Sequence, residues 1–209
     1  MKKRHVILRE RFFTVLLAMY YAFFVYSHGL YFVKTGSLTT LLFIAFELII
    51  CICVLAREHP KEVSFDVKAW LAASIGTYSS LLFISNRFEF QGDYIFLIIQ
   101  LMGTLISLAG IFSLNLSFGI VAANRGVKTS GIYKFIRHPM YAGYFVSFIC
   151  FVIQNVPDMH TLVWNVSILI IMCTALIYRI KYEEELLLHS KEYQEFCKTT
   201  KFRLIPGIW

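Results

Sequence analysis

Six apolar stretches, separated by short polar breaks, set the pattern of this chain. They run roughly over Phe12–Val33, Leu38–Ala56, Val67–Ser85, Tyr94–Leu114, Met140–Gln154 and Thr161–Tyr178. Most approach the ~20 residues that a spanning helix needs. The fifth is shorter, which predicts a tilted span, a tight hairpin with the sixth, or locally thinned bilayer. Asn155-Val156-Pro157-Asp158 is the turn that joins those two. Helices are expected because backbone in hydrocarbon must satisfy its own hydrogen bonds. The ~10-residue alternating segments of an outer-membrane barrel are absent.

The pattern predicts an all-α polytopic transmembrane helix bundle of about six spans, the last two a helical hairpin. A cytosolic loop and a C-terminal juxtamembrane helix complete it. No linker, repeat or low-complexity tract divides residues 1–209, so a single integral membrane domain is expected. Its N-terminal spans would occupy 1–115, and a region richer in chemistry 116–209. Composition agrees: 58% of residues are apolar, above the 45–50% or so of soluble domains, and mean hydropathy is +0.65.

Charge then orients the bundle. With both termini cytosolic, every Lys and Arg except Lys34 and Arg87 falls in an inside loop or tail. This is the positive-inside asymmetry, and it supports an even number of spans. Bacterial inner membrane and endoplasmic reticulum both satisfy it. The net charge of +7 is thus mainly a topology signal, with membrane lipids as the attracted partner. No basic soluble face exists for nucleic acid. The first apolar run is too long for a signal-peptide core, and Tyr20, Tyr21, Tyr26 and His28 offer no small-residue cleavage site; a retained span is expected. The chain closes on Pro-Gly-Ile-Trp, which is not a prenylation motif. Of five cysteines, four lie in apolar stretches and none forms a CxxC pair, so disulfides and zinc ligation are not expected.

Two polar islands carry the chemistry. The first is Gly131-Ile-Tyr-Lys-Phe-Ile-Arg-His-Pro-Met-Tyr-Ala-Gly143. Pro139 lacks an N–H and keeps His138 out of the α region, so a helix is predicted to begin at Pro139. That would put the amides of Met140 and Tyr141 at the mouth of the fifth span, a cradle for a carboxylate or phosphate. Arg137 and Lys134 beside it also suit head-group anchoring. The second island is Arg179, Glu183 and Glu184. Arg179 and Glu183 stand i and i+4 on one face, able to pair or to converge on a ligand, with Glu184 about 100° away. The same residues also fit the start of an amphipathic interfacial helix, Arg179 to Lys198, whose apolar positions are Tyr182, Leu186, Leu187, Tyr193 and Phe196. Gly103/Ser107 and Gly143/Ser147 predict close helix approach. Glu47, mid-span, reads either as a carboxyl bonded to a neighbouring helix or as a coupling carboxylate. The latter belongs to a transporter, which would also require a polar pathway that Gln100, Asn115 and Asn165 hardly supply. His28 reads as interfacial.

In order and spacing the islands resemble the isoprenylcysteine carboxyl methyltransferase and phospholipid methyltransferase superfamily. The likeness covers roughly Ser117 to Pro206. It comprises the approach Asn124–Tyr133, RHPMYAG at Arg137–Gly143, a helical hairpin, R-x-x-x-E-E at Arg179–Glu184, Tyr193 and Phe196, and Arg203–Pro206. The family often has His-Thr-Leu-Val where this chain has Arg125-Gly126-Val127-Lys128. What the resemblance implies is S-adenosyl-L-methionine bound at the cytosolic face. Its contacts would be Arg125, Gly126, Val127, Lys128, Tyr133, His138, Pro139, Met140, Tyr141 and Glu183. Arg179 would face the methyl acceptor, with Arg137 and Glu184 completing the catalytic set and no metal taking part. Glu184 or His138 would serve as base for an amine or thiol acceptor; a carboxylate needs none. The acceptor would be lipid-like or small and hydrophobic: an isoprenylcysteine carboxylate first, a phospholipid amine or thiol next. Membrane sterol and enone reductases, which use NADPH, share a similar C-terminal hairpin and form the alternative.

Overall fold

In a computed structural model of the protein, residues 2–35, 38–56, 60, 62–64, 66–84, 94–114, 117, 119, 122–154, 156 and 158–209 are described, with backbone alone for 2–10, 13, 35, 38–43, 46 and 81. Arg57, Lys61, Arg87, Asn115, Asn155 and Pro157 lie outside the described residues. The fold is all-α. Seven helices follow one another among the described residues: α1 Lys2–Thr35, α2 Leu38–Ala56, α3 Val67–Tyr78, α4 Tyr94–Leu114, α5 Pro139–Gln154, α6 Met159–Leu187 and α7 Lys191–Thr199. Two-residue strands β1 (Glu62–Val63) and β2 (Ala123–Asn124) pair antiparallel.

By length and composition, three described helical segments can cross a membrane: Thr14–Lys34, Tyr94–Leu114 and Met159–Leu187. Glu47–Ala56 and Pro139–Gln154 are shorter apolar helices. The third apolar run departs from the expected single span. It gives a 12-residue helix, a 3-10 turn at Ser79–Leu82, and extended backbone at Phe83. Asn165 of α6, fully buried, explains the break. Its side chain accepts from the Ile84 amide and donates to the Ile84 carbonyl, both at 2.9 Å, so the chain end is held by a side chain instead of a further turn.

The chain divides into two compact units, residues 1–59 with 114–119, and residues 60–113 with 120–209. In the first, α1 packs on α2 around Leu17, Ile50 and Val54. Here Glu47 accepts a hydrogen bond from or shares a proton with His28, Nδ1 to Oε2 3.0 Å. The mid-span carboxyl therefore has a partner in its own hairpin, which its isolation along the sequence concealed.

In the second unit, α3 turns Ala69, Ala72, Ala73 and Gly76 inward and packs on α6, where Gly76 meets Leu176 and Ala175. α4 and α5 approach until backbone touches backbone. A Cβ on Gly143 would collide with Ser107 Oγ and the Gly103 carbonyl, and one on Gly110 would fall 2.9 Å from the Met140 nitrogen. Ser107 Oγ donates across the seam to the Met140 carbonyl at 3.1 Å. The small residues predicted to allow close approach do so. α6 starts on Asp158, whose carboxylate accepts from the Thr161 amide at 2.9 Å.

Candidate active site

The loop before α5 is shaped by one glycine and one proline. Gly131, at φ +62, opens a 3-10 turn through Lys134, and a side chain there would run into Ser113. Pro139 occupies the first position of α5 and is buried; the Ala142 amide closes the first helical bond on the His138 carbonyl at 3.1 Å. Before a proline, backbone amides have no helix to join. Here a C-terminal segment takes them: Arg137 N–H donates to the Phe202 carbonyl and His138 N–H to the Arg203 carbonyl, each 2.9 Å. Thr200 Oγ1 donates to the Tyr133 and Lys134 carbonyls. The strap Thr200–Arg203 thus runs alongside the loop as an added strand would. At the helix start itself, Met140 and Tyr141 are buried and the Met140 amide abuts Gly110 of α4. The expected cradle is covered by α4 on that side.

α6 supplies the other wall. It continues without a break past Tyr178 to Leu187, so Arg179 is a buried residue of the long helix and not the start of an interfacial one. The amphipathic helix is the shorter α7, which turns Tyr193 and Phe196 inward. Arg179 Nε donates to Glu183 Oε1 at 3.0 Å, and Tyr141 Oη donates to the same oxygen at 2.6 Å. The guanidinium lies 5.0 Å over the Tyr141 ring, and its Nη1 donates to Thr77 of α3 at 3.3 Å. The His138 ring stacks on Tyr141, centroids 5.7 Å apart and planes within 12°. Its Nδ1 stands 3.8 Å from Glu183 Oε2, beyond hydrogen-bond reach.

Glu184 points to the other side of the same loop. Oε1 is 3.2 Å from His138 Nε2, 3.3 Å from Tyr193 Oη and 3.2 Å from Arg137 Nε. Oε2 accepts from Arg203 Nε at 2.7 Å. Three hydrogen-bond donors and the ion-paired Arg137 guanidinium around one buried carboxyl favour the carboxylate, so proton abstraction is a poor use for it. Arg137 also reaches Cys197 of α7, Nη1 to Sγ 2.8 Å. Burial, and then the neighbouring Glu184 charge, raise the Tyr193 phenol well above its ordinary range, so it remains a donor. Burial likewise raises Tyr133, with Glu183 adding to it.

Loop and helix therefore bring together Arg137, His138, Tyr141, Arg179, Glu183 and Glu184. The strip Arg125–Lys128 arrives by another route: β2, beside α6, leads into it, Gly126 takes φ +101, and the Asn124 side chain accepts from the Gly126 amide at 3.0 Å. Arg125 is buried, while Gly126, Val127 and Lys128 are half-buried. Sequence reasoning missed Thr77, 102 residues from Arg179, for which no local signal exists. It noted Tyr193 and Arg203 without seeing that both converge on Glu184.

An all-helical membrane-embedded scaffold with a polar, ion-paired cluster at the mouth of its last two long helices is the class that fold and site define. Residues 90–189, just under half of the chain, match the model of the Isoprenylcysteine carboxyl methyltransferase (ICMT) family. That stretch, which contains RHPMYAG, Arg179, Glu183 and Glu184, is similar to this family. It also takes in α4, where the only local signal was the spacing of small residues. No curated protein matches the chain.

Proposed function

We propose that the protein is an S-adenosyl-L-methionine-dependent methyltransferase acting on a lipid-like or small hydrophobic acceptor at the cytosolic face of its membrane. The observation that carries this reading is Glu183. Tyr141 and Arg179 fix its Oε1, while Oε2 keeps acceptor capacity and the side chain remains 17% exposed. A carboxylate so oriented, bordered by the stacked His138 and Tyr141 rings, suits a ligand with an ammonium, a sulfonium and an aromatic base, and the basic strip Arg125–Lys128 would serve its carboxylate. The donor set fits the cofactor.

When bound, the cofactor would supply an activated methyl on sulfonium. The protein's residues then bind, orient and exclude water. Glu183 takes the ammonium or complements the sulfonium charge. Tyr133 and Tyr141 give aromatic surface, and Arg125 and Lys128 offer positive charge to the carboxylate. Arg179, held flat on Tyr141, presents a rigid guanidinium to an anionic acceptor such as a carboxylate. Arg137 and Glu184 act by holding the loop, since their polar atoms are engaged with each other, with Cys197 and with the strap. A carboxylate acceptor fits best, because it needs no base.

Calorimetric titration of the detergent-purified protein with S-adenosyl-L-methionine, and NADPH in parallel, tests this. Saturable binding of the former alone, weakened at least tenfold by Glu183→Ala, is expected. Binding of NADPH alone would move the protein to the reductases. A labelled-methyl screen of prenylcysteine, phospholipid and thiol acceptors follows.

A further inference from the structure

His138 stands between two carboxylates at unequal distances: Nε2 is 3.2 Å from Glu184, whereas Nδ1 is 3.8 Å from Glu183. Only the first is a hydrogen bond. Three guanidiniums, of Arg137, Arg179 and Arg203, already face these two carboxylates, so a neutral ring is the state that adds no further surplus charge. A neutral imidazole has one N–H, and the other nitrogen is an acceptor. With the proton on Nε2, directed at Glu184, the bare Nδ1 lone pair faces Glu183 Oε2. Two acceptors 3.8 Å apart with no proton between them leave room for one donor to reach both.

We propose that Glu184 is a positioning residue which, acting through His138, fixes the Nε2–H tautomer and so presents His138 Nδ1 together with Glu183 Oε2 to a primary ammonium. It rests on the cofactor reading above for the identity of that ammonium. Stacking on Tyr141 holds the ring plane, and Arg203 on Glu184 Oε2 leaves Oε1 turned toward the imidazole. The ring's second nitrogen is thereby set by the partner of its first.

The test is the tautomer itself, read by long-range proton–nitrogen correlation on the full chain with labelled histidine in detergent micelles, His138 being assigned from the His138→Asn spectrum. The wild type should show Nε2–H and an unprotonated Nδ1. In Glu184→Gln the amide carbonyl is drawn to Arg203, so its NH2 faces His138 and drives the proton to Nδ1. S-adenosylmethionine binding should fall about tenfold with that switch, while 5′-methylthioadenosine, which lacks the amino-acid end, should be unaffected. Arg203→Ala should lower the melting temperature without moving the tautomer. An Nδ1–H or doubly protonated ring in the wild type overturns the proposal even if the variant does not fold. So does a folded Glu184→Gln with an unchanged tautomer, or a switch that leaves cofactor affinity unaltered. Absence of any cofactor binding to the wild type would instead sink the cofactor reading and leave the tautomer result standing.

Discussion

Arg179 shows how one side chain is committed before any ligand arrives. Its Nε is on Glu183, its Nη1 on Thr77 and its face on Tyr141. Lysine has neither the planar fork nor the stacking surface to replace these contacts. Arg179→Lys should therefore lower kcat/KM for an anionic acceptor by at least tenfold while cofactor affinity changes less, as measured by paired turnover and titration. Tyr141→Phe removes a 2.6 Å bond to a carboxylate, worth roughly 1.5–3 kcal/mol for a charged acceptor. It should weaken cofactor binding by about tenfold or more and leave the helix packing intact by circular dichroism.

At the scale of elements, the seam between α4 and α5 sets where the loop can lie. Gly143 is in contact with Ser107 and the Gly103 carbonyl, so Gly143→Leu must push the helices apart. Overpacking of this kind destabilises by about 1–3 kcal/mol or more, and the variant should lose thermal stability and cofactor binding together. α6 carries a pH-dependent cap. The Asp158 carboxyl is held below its ordinary range by the Thr161 amide and hydroxyl. A depressed folded-state value means that the stabilisation is present above the ordinary carboxylate range and lost as pH falls from there through the depressed value. Melting curves between pH 6 and pH 3 should show this acid-side loss (pH limits roughly bracketing the carboxylate range), and Asp158→Asn should reduce it.

For the whole molecule, the strap makes the C-terminal segment part of the site. It satisfies the two amides before Pro139 and sends Arg203 to Glu184. Ending the chain after Thr199 should leave membrane insertion intact and abolish cofactor binding, read by fractionation and titration. The His28–Glu47 pair belongs to the other unit, so Glu47→Gln should leave binding at the site unchanged.

Local rules of the chain determined much of this. Hydrocarbon demands long apolar helices, and the runs of the sequence place α2, α4 and α5 almost to the residue and the start of α6 within two, while α6 runs nine residues beyond its apolar run. Pro139 dictates a helix start, and Gly103, Ser107 and Gly143 announce a close seam through the absence of bulk. The i,i+4 spacing of Arg179 and Glu183 already permitted their pair. Tertiary structure decided what depends on distant backbone and side chains meeting: Asn165 halting the third apolar run, His28 answering Glu47, Thr77 reaching Arg179, and Phe202 and Arg203 closing the Pro139 loop. Above all it separated adjacent Glu183 and Glu184, one turned toward Tyr141 and Arg179, the other into a knot of three donors and the Arg137 guanidinium. Apart from Arg179, the residues that divide them lie on the loop before α5, on α5, on α7 and on the strap, and no periodicity along α6 encodes those.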